Sequence, residues 1–493
     1  MNKDSYTYIK QILFKRSTFL LCGILLIGIF FRLYNTPDRF GFDQDPTRDA
    51  LIAIYGAEQF QIPLIGPASG IANFTFGPWY YYELILVKLL FKFDYAPFYL
   101  ISFHSILFII LMYILGRSLK DPILGLILAY LAAISPGQTG PSAGLSNPNL
   151  IPMHAVLTCI IFLQLWKNQK KWWLSLIWGL TLGIGINHHY QIAALFLLPL
   201  IFYIRSIKLY VLHIIAFIGG LIIAFIPLLI FNYIFDLHTF YGVINYLRFG
   251  SGLYVPNSWT IYIKDFWPDF WSYMIGIPVW YGVSLGLFAL FTHFYLLYKH
   301  KLSEPYIYLL CVFASIIFML RYYSGVRDYY YLLFIHPLLF LFAGYPLWIL
   351  FKLKFGRFIC IALLLSIFIF AFPLNLQRLA DRNDHISFRN DVNSLIGYKS
   401  NTTYTVYSCG NRFDSKVMGT VFLLHNRNKL SSNGVKVGIN TDNSSCILPN
   451  STIKITSDIY NINELSDKQL ENDGWIRVGI EDVYKKYLQW WEK

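Results

Sequence analysis

Apolar residues recur in long runs separated by short polar stretches. The runs cover residues 17–31, 76–92, 97–116, 122–135, 149–166, 172–187, 190–205, 209–232, 276–298, 305–320, 329–350 and 356–373. A helix needs about 20 apolar residues to cross a ~30 Å hydrocarbon core, and several of these runs are shorter. The pattern therefore predicts about 11–13 transmembrane helices. Beyond Pro373 the chain turns polar. Short β-type runs appear at Tyr404–Tyr407, Val417–Leu424, Thr452–Ile455 and Trp475–Gly479, with helical patterns at Ile386–Ile396 and Ile480–Trp491. The expected fold is a polytopic α-helical membrane domain, residues 1–373, followed by a small external α/β domain, residues 374–493.

Composition agrees. Of 493 residues, 56% are hydrophobic and 14% charged, where a soluble domain carries about 25% charged residues. The mean hydropathy is +0.49. The formal charge of +13 does not indicate nucleic acid, because the Lys and Arg residues sit between apolar runs rather than in one patch. Topology and anionic lipid headgroups account for them. Arg117/Lys120, Lys167/Lys170/Lys171, Arg205/Lys208, Lys299/Lys301 and Lys352/Lys354/Arg357 mark cytoplasmic connections of a plasma-membrane protein. The first outer loop (35–75), the connections 136–148, 187–190, 321–328 and the large loop 233–275 then face outward, as does everything after 373. Lys3, Lys10, Lys15 and Arg16 place the N-terminus in the cytoplasm. The two ends of this assignment agree only if one segment between 35 and 116 is interfacial or two segments are merged. Residues 76–92, which contain Lys88 and Lys92, are the expected exception. Cys22, Cys159, Cys311 and Cys360 fall in apolar runs and are expected to be buried. Cys409 and Cys446 lie in the polar C-terminal region, as a disulfide or as two free thiols.

This topology gathers the unusual polar groups on the outer side. Asp43-Gln44-Asp45-Pro46-Thr47-Arg48-Asp49 opens a helical pattern in which Ala50, Leu51, Ile54 and Ala57 recur at helical spacing, as in a helix lying at the membrane interface. Asp before Pro is a strong helix N-cap, which explains Asp45 without chemistry. A carboxylate held at a helix start is also a ready general base. Asp43 and Asp45 are also the candidate ligands should a divalent metal ion be used. Arg48, one turn on, suits an ion pair or a phosphate. Arg327, at the outer start of a late helix, can hold phosphate with two parallel hydrogen bonds, with Arg321 as the alternative. His188 and His189 read as hydrogen-bonded interfacial histidines, site residues or metal ligands. Asn147 and Asn149 flank Pro148 in a turn and could also face sugar hydroxyls. The Trp and Tyr residues of 254–281 read as interface-belt residues or a lid.

Three stretches carry a family resemblance. Asp45-Pro46-Thr47-Arg48-Asp49-Ala50, Gln61-Ile62-Pro63-Leu64-Ile65-Gly66 and Phe76-Gly77-Pro78-Trp79-Tyr80-Tyr81 occur in that order. Together they resemble the first outer loop of the GT-C glycosyltransferase superfamily, in the branch of protein O-mannosyltransferases and the lipid A aminoarabinose transferase. Arg327-Asp328-Tyr329-Tyr330-Tyr331 through His336-Pro337 is similar to the late helix of those enzymes. The resemblance implies transfer of a sugar from a polyprenyl-phosphate donor to a glycan, lipid or protein acceptor on the external face. It puts Asp45 at the catalytic position with Asp43 as an extra acid. Arg48, Arg327, Tyr80, Tyr81, Asn147, Asn149, His188, His189 and Tyr329 then become candidate substrate-binding residues. Pro46 stands where the motif has Glu, Asp49 where it has Tyr, and Gly77 where it has Lys or His. Two rival readings are a transporter or flippase of lipid-linked sugars, and a non-catalytic assembly subunit of the same fold. Ionisable residues gathered at loops and helix ends favour the enzyme over the transporter.

Overall fold

The computed structural model describes residues 3–70, 74–204, 210–249, 258–323, 328–379, 383–398, 401–411, 413–441, 453–456 and 459–488. Helix α1 (Lys3–Leu33) leads through the single turn α2 (Thr36–Arg39) into α3 (Gln44–Gln59), then α4 (Trp79–Phe91) and α5 (Ala96–Leu119). Helix α6 (Pro122–Ile134) is followed, across a bend of 62°, by the short α7 (Pro136–Thr139). Next come α8 (Ile151–Lys167), α9 (Trp173–His188), α10 (Leu197–Ile204), α11 (Val211–Ile234) and α12 (His238–Phe249). The turn α13 (Trp259–Ile261) and α14 (Trp267–Ile275) precede α15 (Val279–Tyr298), α16 (Glu304–Leu320), α17 (His336–Lys352) and α18 (Gly356–Leu379).

Every apolar run read from the sequence is helical. Among the described residues, 7 helices are long and apolar enough to cross a membrane unaided, or 8 with the bent pair. The larger expected count arises because α4, α9, α10 and α16 were included, and these are short. Helix α4 has 13 residues, about 20 Å at 1.5 Å per residue, less than the hydrocarbon thickness. The chain before α3 and the chain after α4 both meet the C-terminal domain. The chain leaves α1 beside the C-terminal domain, where the Arg389 guanidinium donates to the Pro37 carbonyl at 3.2 Å. It is still there after α4, where Asp94 meets His425 at 2.8 Å and Phe98 meets Phe422. From there α5 carries the chain back into the bundle.

The C-terminal end of α1 is tied in by a buried cation. Arg32 donates to Ser105 Oγ at 2.7 Å and to the carbonyls of Gly28, Ala132 and Ala133. A charge inside a bundle is retained when its donors are satisfied, and here they join α1, α5 and α6.

Helix α18 runs through Pro373 to Leu379, so the change of character in the sequence falls inside a helix. Helix α19 (Asn383–Tyr398) follows. The C-terminal domain then reads β1 (Tyr404–Cys409), α20 (Ser415–Asn426), β2 (Val435–Asn440), β3 (Ile453–Lys454), β4 (Ile459–Asn461), α21 (Asp467–Asn472), β5 (Trp475–Val478) and α22 (Ile480–Leu488). The strands form one mixed sheet, β3-β4-β2-β1-β5, with β1 parallel to β2 and antiparallel to β5. The run Val417–Leu424, expected as a strand, lies in α20. Asp414 caps that helix by accepting from the Lys416 amide at 2.8 Å. Burial on all sides had hidden the helical period.

The apolar core has two main parts. One fills the helix bundle. The other runs without a break from the first outer loop (Phe40, Phe42, Leu51, Tyr80, Tyr81) into the C-terminal domain (Val406, Val421, Phe422, Val483). Consequently α3 does not lie in the lipid interface as its pattern suggested. Residues Thr47–Ile54 are all buried, beneath α20 and α22. Among the cysteines, Cys159 and Cys360 are buried, whereas Cys22 and Cys311 are exposed on the bundle surface. Cys409 is disulfide-bonded; Cys446 lies outside the described residues.

Candidate active site

The acid-rich stretch forms the start of α3. The helix begins at Gln44, so Asp43 takes the N-cap position and Asp45 sits in the first turn, two residues past the N-cap expected for it. Both side chains are exposed. Arg48 organises the turn: its Nη1 donates to Asp45 Oδ1 at 2.7 Å and its Nε to Asp49 Oδ1 at 2.8 Å. The Tyr81 hydroxyl, from α4, donates to the same Asp49 oxygen at 2.9 Å. The result is a line of polar contacts, Tyr81–Asp49–Arg48–Asp45, leading from a buried helix to an exposed carboxylate. Burial pushes the Asp49 carboxyl upward against the pull of Arg48. Burial alone would lower Arg48, but the carboxylates of Asp49 and Asp45 and the hydrogen bond to Asp49 hold it well above its ordinary value, so it stays charged.

The C-terminal domain closes over this turn. Tyr487 of α22 places its ring 5.2 Å from the Arg48 guanidinium and accepts at its hydroxyl from Gln44 Nε2 at 3.4 Å. Below, Lys88 pairs with Asp94 at 2.5 Å, and His425 of α20 bonds Asp94 at 2.8 Å and Glu58 at 3.2 Å. Burial disfavours the charged imidazole of His425, yet the two carboxylates outweigh it and raise its pKa to about 9.

The loop between α3 and α4 returns to the bundle at Gly77. A side chain there would collide with Asn187, 1.5 Å from where a Cβ would sit, and the Gly77 amide donates to the Asn187 carbonyl at 3.1 Å. This close approach explains the glycine where the resembling family has Lys or His. It also brings the start of α4 to the end of α9. There Asn147 Nδ2 donates to the His188 carbonyl at 2.5 Å. Asn149 Nδ2 donates to the Pro141 and Gly144 carbonyls, so that side chain holds its own loop. His189 stacks on Phe76 at 4.7 Å and lies 5.7 Å from the Tyr331 ring.

The late helix arrives at the same place. Asp328 accepts from the Tyr330 amide at 3.1 Å and so caps the turn Tyr329–Ile335 that leads into α17. The Tyr330 hydroxyl bonds Ser146, and Tyr330 and Tyr331 lie within electrostatic reach of Asp45. Tyr329 turns away and stacks on Tyr273 at 5.2 Å. Arg321 lies against the Trp259 ring at 4.9 Å. Arg327 lies outside the described residues. Beside this helix start, Ala194, Leu197, Phe217, Ile316, Tyr323 and Phe334 line an apolar cavity of about 700 Å³. Its Tyr323 bonds Tyr246 at 3.2 Å and interacts with Tyr331. The cavity thus adjoins the tyrosines that reach Asp45.

Asp43 and Asp45 do not join a third acid or histidine in an ion-holding group among the described residues. Glu83, His154 and His188 do: their ligand atoms lie within 4.8 Å of one another. Of these, only His188 stands out as a site candidate in the sequence; Asp49 there is a departure from a motif, and Tyr487 carries no signal. Glu83 did carry a signal, as a lone acid in an apolar run.

This arrangement, a loop held under a C-terminal domain at one end of a helix bundle, is a fold shared with solved structures. The chain is similar to ArnT from Cupriavidus metallidurans bound to undecaprenyl phosphate, with 10% identity over 92% of this chain and 99% of that one, at a TM-score of 0.58. It is also similar to the Archaeoglobus fulgidus oligosaccharyltransferase in the apo form, with 13% identity over 77% of this chain and a TM-score of 0.52. The archaeal oligosaccharyltransferase AglB of that organism, in complex with an inhibitory peptide and a dolichol-phosphate, matches at 15% identity over 78% of this chain, with a TM-score of 0.51. The chain spans 58% of the length of both oligosaccharyltransferase chains. No protein-family model and no curated protein matches it.

Proposed function

We propose that this chain transfers a sugar from a polyprenyl-phosphate donor to an acceptor hydroxyl or amine on the outer face of the membrane. The observation that carries the reading is a juxtaposition. The exposed Asp45 carboxylate interacts electrostatically with Tyr330 and Tyr331, and Tyr331 in turn with Tyr323, which lines an apolar cavity of about 700 Å³. In one displacement, Asp45 accepts the acceptor proton as the acceptor atom bonds the anomeric carbon. The bond from that carbon to the phosphate oxygen breaks, and the polyprenyl phosphate leaves with the electron pair. Arg48 holds Asp45 in place from one side, and Asp43 adds negative charge at the helix start. Arg327 is the cation proposed to hold the departing phosphate. The bound lipids of ArnT and AglB support a lipid-phosphate donor. The disulfide at Cys409 and the basic clusters at the far helix ends support an external C-terminal domain.

The test is turnover by the purified full chain with a panel of polyprenyl-phosphate sugars. Asp45→Asn is expected to lose about 100- to 10,000-fold in kcat. Ala194→Trp, which fills the cavity, is expected to raise KM for a long-chain donor more than for a short-chain one. Equal KM for both chain lengths in wild type and variant would remove the cavity from donor binding.

A further inference from the structure

We propose that Glu83, His154 and His188 bind a divalent transition-metal ion of the zinc class, with His104 holding the carboxylate in place. The four residues come from α4, α5, α8 and the end of α9. No two of them lie on one element. Their convergence is therefore a product of the fold, and it lies apart from the Asp43–Asp49 turn.

The donors are close. His188 Nε2 is 3.1 Å from Glu83 Oε1, and His104 Nε2 is 3.2 Å from Glu83 Oε2. The His154 and His188 ring centroids are 4.9 Å apart. Around a tetrahedral zinc with bonds of 2.0–2.1 Å, ligand atoms stand roughly 3.3 Å apart. The Glu83–His188 pair already has that spacing, and His154 need close only part of the remaining gap.

These buried side chains also lack hydrogen-bond partners at several ring nitrogens. His104, His154 and His188 are 7%, 5% and 0% exposed. Neither ring nitrogen of His154 makes a hydrogen bond of ordinary geometry, nor do His188 Nδ1 and His104 Nδ1. The Thr181 carbonyl interacts with His154. Buried imidazole nitrogens are almost always satisfied, and the two open nitrogens of His154, beside the Glu83–His188 pair, ask for a shared cation. Two neutral nitrogens and a carboxylate oxygen are what a zinc-class ion takes. His104 on the second carboxylate oxygen and the Thr181 carbonyl on His154 are the outer partners that orient such ligands.

The ion clamps the inner end of the outer loop. Glu83 follows Tyr81 by two residues on α4, and Tyr81 holds Asp49. A metal at Glu83 thus fixes the far end of the line leading to Asp45 without touching the proposed reaction. This role is independent of the sugar-transfer reading.

Binding of Zn²⁺ alone to the detergent-purified full chain, by equilibrium dialysis with metal analysis, is the test. One ion per chain is expected in wild type, and Co²⁺ in its place should show the intense visible bands of a tetrahedral site. His154→Ala and His188→Ala should each lose the ion, and His104→Ala should weaken affinity by about 10- to 100-fold. His425→Ala, a histidine outside the cluster, should keep it. If monodisperse wild type binds no Zn²⁺ or Co²⁺ beyond the His154→Ala/His188→Ala double variant, the cluster is a metal-free carboxylate–imidazole network and the proposal fails.

Discussion

Asp45 and Asp49 sit one helical turn apart, share Arg48 as partner, and live in opposite settings. The Asp45 side chain is 70% exposed and Asp49 is 1% exposed. Asp49 has Tyr81 as a second donor and lies beneath the C-terminal domain. One acid can meet a substrate and the other cannot. The contrast separates chemistry from architecture within a single turn: Asp49 anchors the guanidinium that aims Asp45.

The sharpest way to break this contrast is to remove the buried acid. Asp49→Ala strands Arg48 in a buried site and should cost about 3–5 kcal/mol, read as a lower Cm in denaturant. Asp45→Ala should move the same Cm little, since exposed ion pairs contribute about 0–1 kcal/mol. Equal losses would show that the two acids are not differentiated by burial. Next in size, His425→Ala should weaken domain docking by about 2 kcal/mol, because it removes charge-assisted bonds to Asp94 and Glu58. The same pair gives a pH signature. With its pKa raised from 6.5 to about 9, His425 contributes fully below pH 6.5, and its contribution fades as pH rises through about 9. The protection of α20 amides relative to their intrinsic exchange rate should therefore fall across that window in wild type and stay level in His425→Ala. Tyr81→Phe, which leaves Asp49 with Arg48 alone, should cost about 1 kcal/mol. Smallest is Tyr487→Ala. It removes a ring from the face of Arg48, at about 0.5–1 kcal/mol, and should raise KM more than it lowers kcat.

Much of this was legible in the sequence, for identifiable reasons. Long apolar runs specify helices by length alone, so every run was found. The charges Lys88 and Lys92 singled out 76–92, and α4, at 13 residues, is short for a span. The outer-loop motif led to Asp45 and Arg48, because a short polar segment in an apolar chain stands out. Other features were hidden by the same physics. Fully buried α20 shows no amphipathic period, and its Val and Phe content imitates a strand. The short strands β2 and β4 carry too little apolar pattern to register. His104 and His154 sit inside apolar helices, where a lone histidine looks like core. Only the packing of α5 and α8 against α4 and α9 brings them to Glu83. Asp49 looked like a lapse from a motif because its partner, Tyr81, lies 32 residues away.

The account turns on Asp45 acting as the base while Asp49 builds the turn around it. The most direct measurement is single-turnover transfer from a polyprenyl-phosphate sugar by wild type and Asp45→Asn at matched, verified folding. The account predicts loss of at least about 100-fold with an unchanged unfolding midpoint. Transfer by Asp45→Asn at the wild-type rate would contradict it.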